Sequence, residues 1–121
     1  MSKILVVDDE SSVRNLAVEI LRRSGYRPQG VASATHALEA LDRHSFDLVV
    51  SDVVMPEMTG VELLYELRAR RPELPVVLMT GGSPDPERTT NALRAGATGL
   101  LHKPFSQDEL RAAVATALDR S

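Results

Sequence analysis

Residues 4–10 read ILVVDDE: four consecutive apolar residues, three of them β-branched, followed directly by three acids. A continuous apolar run of this kind is typical of a strand buried on both faces of a parallel sheet. The acids that follow fall at the carboxyl end of that strand, which is the edge where open α/β sheets bind ligands. The stretch therefore predicts a central strand and directs attention to the side chains at its carboxyl end.

Similar runs recur along the chain and alternate with longer amphipathic segments. Strands are predicted at residues 3–8, 27–32, 47–52, 75–80 and 98–102. The first, third and fourth are continuously apolar and are expected at the centre of the sheet. Since parallel strands need helical crossovers of one hand, the alternation predicts an α/β fold: a doubly wound parallel five-stranded sheet with helices on both faces.

Each strand is followed by a segment whose apolar residues recur at helical spacing. The stripes are Val13, Leu16, Ala17, Ile20 and Leu21 in the first helix; Ala34, Ala37, Leu38 and Leu41 in the second; Gly60, Leu63, Leu64 and Leu67 in the third; Ala92 and Leu93 in the fourth; and Leu110, Ala113, Val114, Ala117 and Leu118 in the fifth. Gly25 is predicted to end the first helix, because glycine tolerates a left-handed conformation. The fourth helix, at residues 86–97, has the poorest stripe and is expected to dock least firmly.

Composition narrows the class of protein. The chain has 121 residues, 43% hydrophobic and 26% charged, which predicts a single domain spanning residues 1–121. The absence of cysteine excludes disulfides, thiolate metal sites and a cysteine nucleophile. A net charge of −3 without a basic patch argues against direct binding of nucleic acid. No apolar run approaches the roughly 18 residues of a membrane span, so a cytoplasmic location is expected.

Five polar residues stand at the predicted carboxyl ends of four strands: Asp8, Asp9, Asp52, Thr80 and Lys103. Each alone has an ordinary explanation, since Asp9 could cap a helix, Asp52 could belong to a turn, and the threonine and lysine could be structural. Together they bring three carboxylates and one ammonium to the same edge, leaving a formal charge of −2. Hard oxygen ligands with an incomplete protein shell suit Mg²⁺, so the sequence predicts a magnesium site there.

Several segments resemble the response-regulator receiver domain of two-component signalling over essentially the whole chain. They are residues 4–10, residues 47–52 with Met55, Pro56 and Gly60, residues 75–80, residues 95–97, and residues 103–105 (KPF). The resemblance implies a flavodoxin-like (βα)5 fold with strand order 2-1-3-4-5.

The resemblance also implies a mechanism. Asp52 is expected to be the phosphoacceptor, taking a phosphoryl group from the phosphohistidine of a sensor histidine kinase or phosphotransfer protein. Asp9, Asp52 and the backbone carbonyl of Val54 would hold Mg²⁺, with Asp8 acting through a metal-bound water. Lys103 and Thr80 would contact the remaining phosphoryl oxygens.

Such a protein is a signalling switch rather than an enzyme, although it phosphorylates itself from small phosphodonors and slowly loses the phosphoryl group. Movement of the threonine is expected to change the face formed by the fourth helix, fifth strand and fifth helix, which an unidentified downstream protein or covalently linked domain would read. Exposed members of that face are expected to be Arg88, Asn91, Arg94 and Glu109. The resemblance further implies a cis peptide between Lys103 and Pro104.

The chain departs from the family pattern at several positions. Leu100 replaces the Tyr or Phe that often lies three residues before the lysine, which puts the usual coupling to the threonine in question. Residues 81–86 (GGSPDP) are rich in breakers. Val54 and Gly82 offer no polar side chain to orient water, which predicts a long-lived aspartyl phosphate. His102 is expected to point away from the side of Lys103 and to be structural or output-facing.

Three rival functions fit the sequence less well than the receiver does. A haloacid-dehalogenase-type phosphatase would carry its two acids two residues apart on one strand, whereas Asp8 and Asp9 are adjacent. A pseudo-receiver would lack part of the five-residue set. A nucleotide-binding Rossmann domain would need a glycine-rich loop after the first strand. The sequence leaves open whether the receiver acts alone or as a piece of a larger regulator or hybrid kinase, and it identifies neither the kinase nor the pathway.

Overall fold

The computed structural model describes residues 1–55, 58–81 and 86–119, without the side chains of residues 86, 88 and 89. The elements, in chain order, are β1 (Lys3–Val7), α1 (Ser11–Arg23), β2 (Arg27–Val31), α2 (Ala34–Arg43), β3 (Leu48–Asp52), α3 (Gly60–Arg70), β4 (Val76–Thr80), α4 (Pro86–Arg94), β5 (Gly99–His102) and α5 (Gln107–Asp119). All five predicted strands are confirmed, and each is one residue shorter than the sequence pattern indicates.

The five strands form one parallel sheet in the order β2-β1-β3-β4-β5, which confirms the doubly wound topology. β3 and β4 are buried along their whole length and β1 along all but its first residue, as expected for central strands. The register pairs Val7 with Ser51, and Asp52 with Met79. The carboxyl ends of the central strands therefore reach the same edge of the sheet.

Side chains that alternate along each strand enter two separate cores. Leu5 and Val7 of β1 pack on the face covered by α2, α3 and α4. Ile4 and Val6 pack on the opposite face, covered by α1 and α5. This division follows from the period of two along a strand, and it confirms a three-layer arrangement with helices on both faces.

Two residues of the predicted apolar stripes are exposed. Leu16 of α1 is 52% exposed and Leu93 of α4 is 53% exposed, so their prediction as buried residues was wrong. Leu16 lies near the end of α1 that faces the carboxyl edge of the sheet, where it lines a groove with Pro104 and Phe105. In α4, Ala92 is the one buried residue among the described side chains of the helix, which agrees with its expected weak docking.

The backbone confirms two further expectations. Gly25, two residues after α1, has a φ of 93°, the left-handed conformation predicted at the end of that helix. The peptide bond between Lys103 and Pro104 is cis. No helix in the described ranges is long and apolar enough to cross a membrane.

Candidate functional site

The three acids singled out in the sequence come together at the carboxyl edge of the sheet. Asp8 and Asp9 follow β1, and Asp52 is the last residue of β3. One carboxylate oxygen from each lies within 4.8 Å of the others. Their exposures differ, because Asp8 is fully buried, Asp52 is 7% exposed, and Asp9 is exposed at the rim. The edge therefore holds three carboxylates at different depths.

Lys103 reaches this cluster from the end of β5. Its Nζ donates to Asp8 Oδ2 at 2.9 Å and to Asp52 Oδ2 at 3.1 Å. Burial alone lowers the pKa of this ammonium, but the hydrogen bonds and charges of the two carboxylates outweigh burial, and the pKa of Lys103 is raised above its ordinary value. One cation thus joins the two buried acids and stays charged at neutral pH.

The pKa of Asp52 is also shifted by its surroundings in the cluster. Burial raises the pKa of its carboxyl above the ordinary value; the hydrogen bond from Lys103 opposes this shift, and the charge of Asp8 adds to it. Its Oδ1 accepts a long hydrogen bond of 3.4 Å from the backbone N–H of Val54. The ionised form of Asp52 is therefore less favoured than in water, because burial and the charge of Asp8 together outweigh the stabilisation by Lys103.

The turn that carries Asp8 and Asp9 is held from both sides. Asp8 Oδ1 accepts from the backbone N–H of Glu10 at 2.9 Å, and Arg14 of α1 donates to the backbone carbonyl of Asp8 at 2.8 Å. The stem of Arg14 lies against Gly30 of β2, where an added Cβ would come within 3.1 Å of it. These contacts fix the backbone of the acidic turn before any ligand binds.

Gly60 allows α3 to press against the backbone beside Asp52. A Cβ at this position would collide with the backbone oxygen of Asp52 and lie 2.8 Å from the Cα of Val53. The N–H of Gly60 donates to the carbonyl of Val53 at 2.7 Å. Just before it, Thr59 and Glu62 form a reciprocal capping box at the start of the helix. A glycine is therefore required here by close approach rather than by backbone angle.

The cluster fits a hard divalent cation. It offers carboxylate oxygens from three residues, and one ammonium offsets only part of their charge. This donor set matches the oxygen ligands and incomplete protein shell that Mg²⁺ prefers. Val54, two residues after Asp52, is 62% exposed, and the contribution of its carbonyl to metal binding stays a prediction.

Thr80, the remaining member of the set, is engaged by a residue that the sequence did not assign to the site. Its Oγ1 lies 2.9 Å from Nδ1 of His102, and Thr80 itself is 7% exposed. As strand alternation predicts, His102 and Lys103 contact different residues. Alternation does not show, however, which side chains of two adjacent strands lie beside each other. The contact depends on the register that pairs Thr80 with His102, which the sequence does not determine.

Two surfaces border the site. A groove of about 280 Å³ is lined by Glu10, Val13, Leu16, Lys103, Pro104 and Phe105. On the side of α4 and α5, Asn91, Arg94 and Glu109 are exposed as expected. Gly82, Pro56 and the side chain of Arg88 lie outside the described residues, so the predictions made for them stay predictions.

The chain is similar in sequence and in structure to known proteins. Residues 4–115 match the response regulator receiver domain. The chain is 44% identical over 105 residues to the response regulator protein FleR of Pseudomonas aeruginosa, covering 86% of the chain and 22% of FleR. It is 41% identical over 115 residues to the transcriptional regulatory protein ZraR of Escherichia coli, covering 95% of the chain and 26% of ZraR. The receiver domain of NtrX from Brucella abortus superposes with a TM-score of 0.92 at 36% identity, covering 98% of this chain and 99% of that one. The chain thus spans about a quarter of FleR and ZraR and nearly all of the NtrX receiver domain.

Proposed function

The chain belongs to the response-regulator receiver family of two-component systems, and from this premise we propose that Asp52 is its phosphoacceptor. The observation that carries the proposal is the position of Lys103, whose Nζ contacts both Asp8 and Asp52 at the carboxyl edge of the sheet. Phosphoryl transfer demands mainly alignment and compensation of charge. A partly buried lysine already in contact with the acceptor carboxylate supports that chemistry.

Among the three acids, Asp52 is the best placed nucleophile. The side chain of Asp8 is fully buried and its oxygens are engaged by Lys103 and the N–H of Glu10. Asp9 is exposed at the rim. Asp52 keeps a side chain that is 10% exposed and has only a 3.4 Å hydrogen bond on Oδ1.

In the proposed reaction, a carboxylate oxygen of Asp52 attacks the phosphorus of a phosphohistidine. The new P–O bond forms as the N–P bond breaks, and the departing imidazole keeps the electron pair of that bond. Formation of the P–O bond removes the negative charge of the Asp52 carboxylate. Lys103 is then held less strongly by Asp52 and can donate to a phosphoryl oxygen. Thr80 supplies a hydroxyl that can donate to another oxygen once it moves inward. The protein then holds an aspartyl phosphate, and hydrolysis by water returns it to the resting form.

Asp9, Asp52 and the carbonyl of Val54 would hold Mg²⁺, with Asp8 acting through a bound water. The cation would supply positive charge against the phosphoryl oxygens as the two anions approach. The residues present suit it, since their carboxylate oxygens lie within 4.8 Å of one another.

We further propose the partners on each side of the switch. Response regulators receive phosphoryl groups from histidine kinases, and the apolar groove beside Lys103, with exposed Leu16, suits a helix that presents a phosphohistidine. Small phosphodonors would load the same carboxylate. The face formed by α4, β5 and α5 would carry the signal to a downstream protein or a linked domain, and the cytoplasm is the proposed compartment.

The proposal is tested by intact mass after incubation with Mg²⁺ and phosphoramidate. We expect the wild type to gain one phosphoryl group, and Asp52→Asn to gain none. Asp47→Asn is the matched control, because Asp47 is an exposed aspartate at the opposite end of the same strand. Loss of the mass gain in the Asp47 variant, or its survival in the Asp52 variant, would contradict the proposal.

A further inference from the structure

His102 ties the switch threonine to the neighbouring strand. The backbone N–H of Lys103 donates to the carbonyl of Thr80 at 2.7 Å, which fixes β5 against the end of β4. In this register Thr80 stands beside His102, and their side chains meet through Oγ1 and Nδ1 at 2.9 Å. The hydroxyl is nearly buried, whereas the imidazole is exposed at the surface. A buried polar group and a surface side chain thus share one hydrogen bond.

This bond occupies the threonine in the resting protein. If the hydroxyl donates its single proton to Nδ1, that proton is not available to a phosphoryl oxygen. If the imidazole donates instead, the hydroxyl oxygen is still anchored to β5. In either case, inward movement of Thr80 requires the contact with His102 to break. Leu100, two residues earlier on the same face of β5, has no polar atom that could take its place.

We propose that His102 is a positioning residue that holds Thr80 in the resting arrangement, so that a phosphoryl group on Asp52 has to draw the hydroxyl away from the imidazole. The inference rests on the proposed function of Asp52. Release of the hydroxyl would also carry the change to the protein surface, because the imidazole on the exposed edge of β5 then loses its hydrogen-bond partner. His102 lines a groove between β5 and α5 together with Glu109, so the release changes the chemistry of that surface.

A double-mutant cycle measures the competition. The probe is beryllium fluoride with Mg²⁺, a stable tetrahedral anion that imitates a carboxyl-bound phosphoryl group, titrated into the full chain and followed by amide chemical shifts. We expect His102→Leu to tighten apparent binding about 2- to 10-fold, the change that one net hydrogen bond produces. In the Thr80→Val background the same substitution should change binding by less than about 1.5-fold, because the competing contact is already absent.

A conservative variant and a spectroscopic signal separate positioning from packing. His102→Asn carries a polar atom the same number of bonds from Cβ as Nδ1, and it should bind the probe within about 2-fold of the wild type, since the hydrogen bond can reform. The Nδ1 resonance of His102 should shift when the wild type binds the probe and stay in place when Thr80→Val binds it.

The outcomes are distinguishable. If His102→Leu has no effect in the wild type, or an equal effect in both backgrounds, this inference is overturned while the proposed function stands. Failure of the wild type to bind the probe, together with no mass gain from phosphoramidate, would overturn the proposed function and this inference with it.

Discussion

The carboxyl edge of the sheet has two halves that are built differently. The acid half consists of Asp8, Asp9, Asp52 and Lys103; the switch half consists of Thr80 and His102. In the acid half, one lysine bridges two buried carboxylates, and α3 presses directly on the backbone of the acceptor strand. In the switch half, the hydroxyl of Thr80 is held by its hydrogen bond to His102, and Ala92 is the one buried side chain among those that the structure describes in α4.

This difference in construction matches two different roles: we expect phosphoryl transfer to depend on the acid half and the conformational response to depend on the switch half. Alignment for phosphoryl transfer needs groups that are fixed before the reaction, and the acid half supplies them through charge and close packing. A switch needs two arrangements that differ by only a few kcal/mol, and a single net hydrogen bond of about 1 kcal/mol fits that range. Substitutions in the acid half should therefore alter loading and stability, whereas those in the switch half should alter the output.

The largest effect is expected for Lys103→Ala. Removing the cation that faces the acceptor should slow loading from phosphoramidate by about 100-fold or more, the usual consequence of losing one charge-stabilising donor. The measurement is the rate of phosphoryl mass gain at saturating Mg²⁺, with circular dichroism showing that the variant is folded.

The chain offers a matched control for this variant. Lys3, its only other lysine, lies at the opposite end of the sheet, with its ammonium 5.0 Å from the ring centre of Phe46. Lys3→Ala should load at the wild-type rate. A folded Lys103→Ala protein that loads within about 3-fold of the wild type would show that charge compensation is a minor part of the reaction.

Alanine substitution at two glycines, one in each half, compares how tightly the two halves are packed. Gly60→Ala in the acid half forces a Cβ into the backbone of Asp52 and should lower the free energy of unfolding by about 1–3 kcal/mol. Gly81→Ala, beside Thr80, meets nothing within 4 Å and should leave stability unchanged or raise it by up to about 1 kcal/mol. Urea denaturation of the two variants measures this difference. Equal destabilisation by both would remove the contrast between the halves.

A third prediction concerns pH. Because folding raises the pKa of Asp52, its ionisation opposes folding: the cost is absent below the ordinary value of 3.8, grows as pH rises through the folded pKa, and is constant above it. In EDTA, Asp52→Asn should therefore melt above the wild type at pH 7, and each 1 kcal/mol gained would raise the melting temperature by about 3–6 °C in a domain of this size.

The advantage of Asp52→Asn should vanish towards pH 3.8 and shrink when Mg²⁺ is added, because the cation stabilises only the form that binds it. Thermal melts of the wild type and the variant across this pH range, with EDTA and with millimolar Mg²⁺, give the comparison. A variant less stable than the wild type at pH 7 in EDTA would mean that the bond to Lys103 outweighs burial.

Most of the acid half could be predicted from sequence, because position at a strand end suffices to bring parallel-strand residues to one edge. The strands were predicted to within one residue at one end, and Asp8, Asp9 and Asp52 meet as expected. Helical spacing was less reliable for Leu16 and Leu93, because it defines a stripe without showing where the neighbouring elements stop. The contact of Thr80 with His102 was missed for a related reason, since it depends on lateral register.

Thr80→Ala is expected to cost less stability than Gly60→Ala, because it removes one hydrogen bond worth about 0.5–1.5 kcal/mol. This variant should still accept a phosphoryl group on Asp52 but should not show the amide chemical-shift changes in α4 and β5 that accompany loading of the wild type. Loss of loading in a folded Thr80→Ala protein would show that the threonine is needed for loading itself, so that the two halves do not have separate roles.

Asp52, and neither Asp8 nor Asp9, is the residue that we expect to receive the phosphoryl group. Borohydride reduces an aspartyl phosphate to homoserine, so the protein loaded with phosphoramidate and Mg²⁺ can be reduced, digested and sequenced by mass spectrometry. We expect homoserine at position 52 and unchanged aspartate at positions 8 and 9. Homoserine at either of those two positions, with aspartate intact at 52, would contradict this expectation.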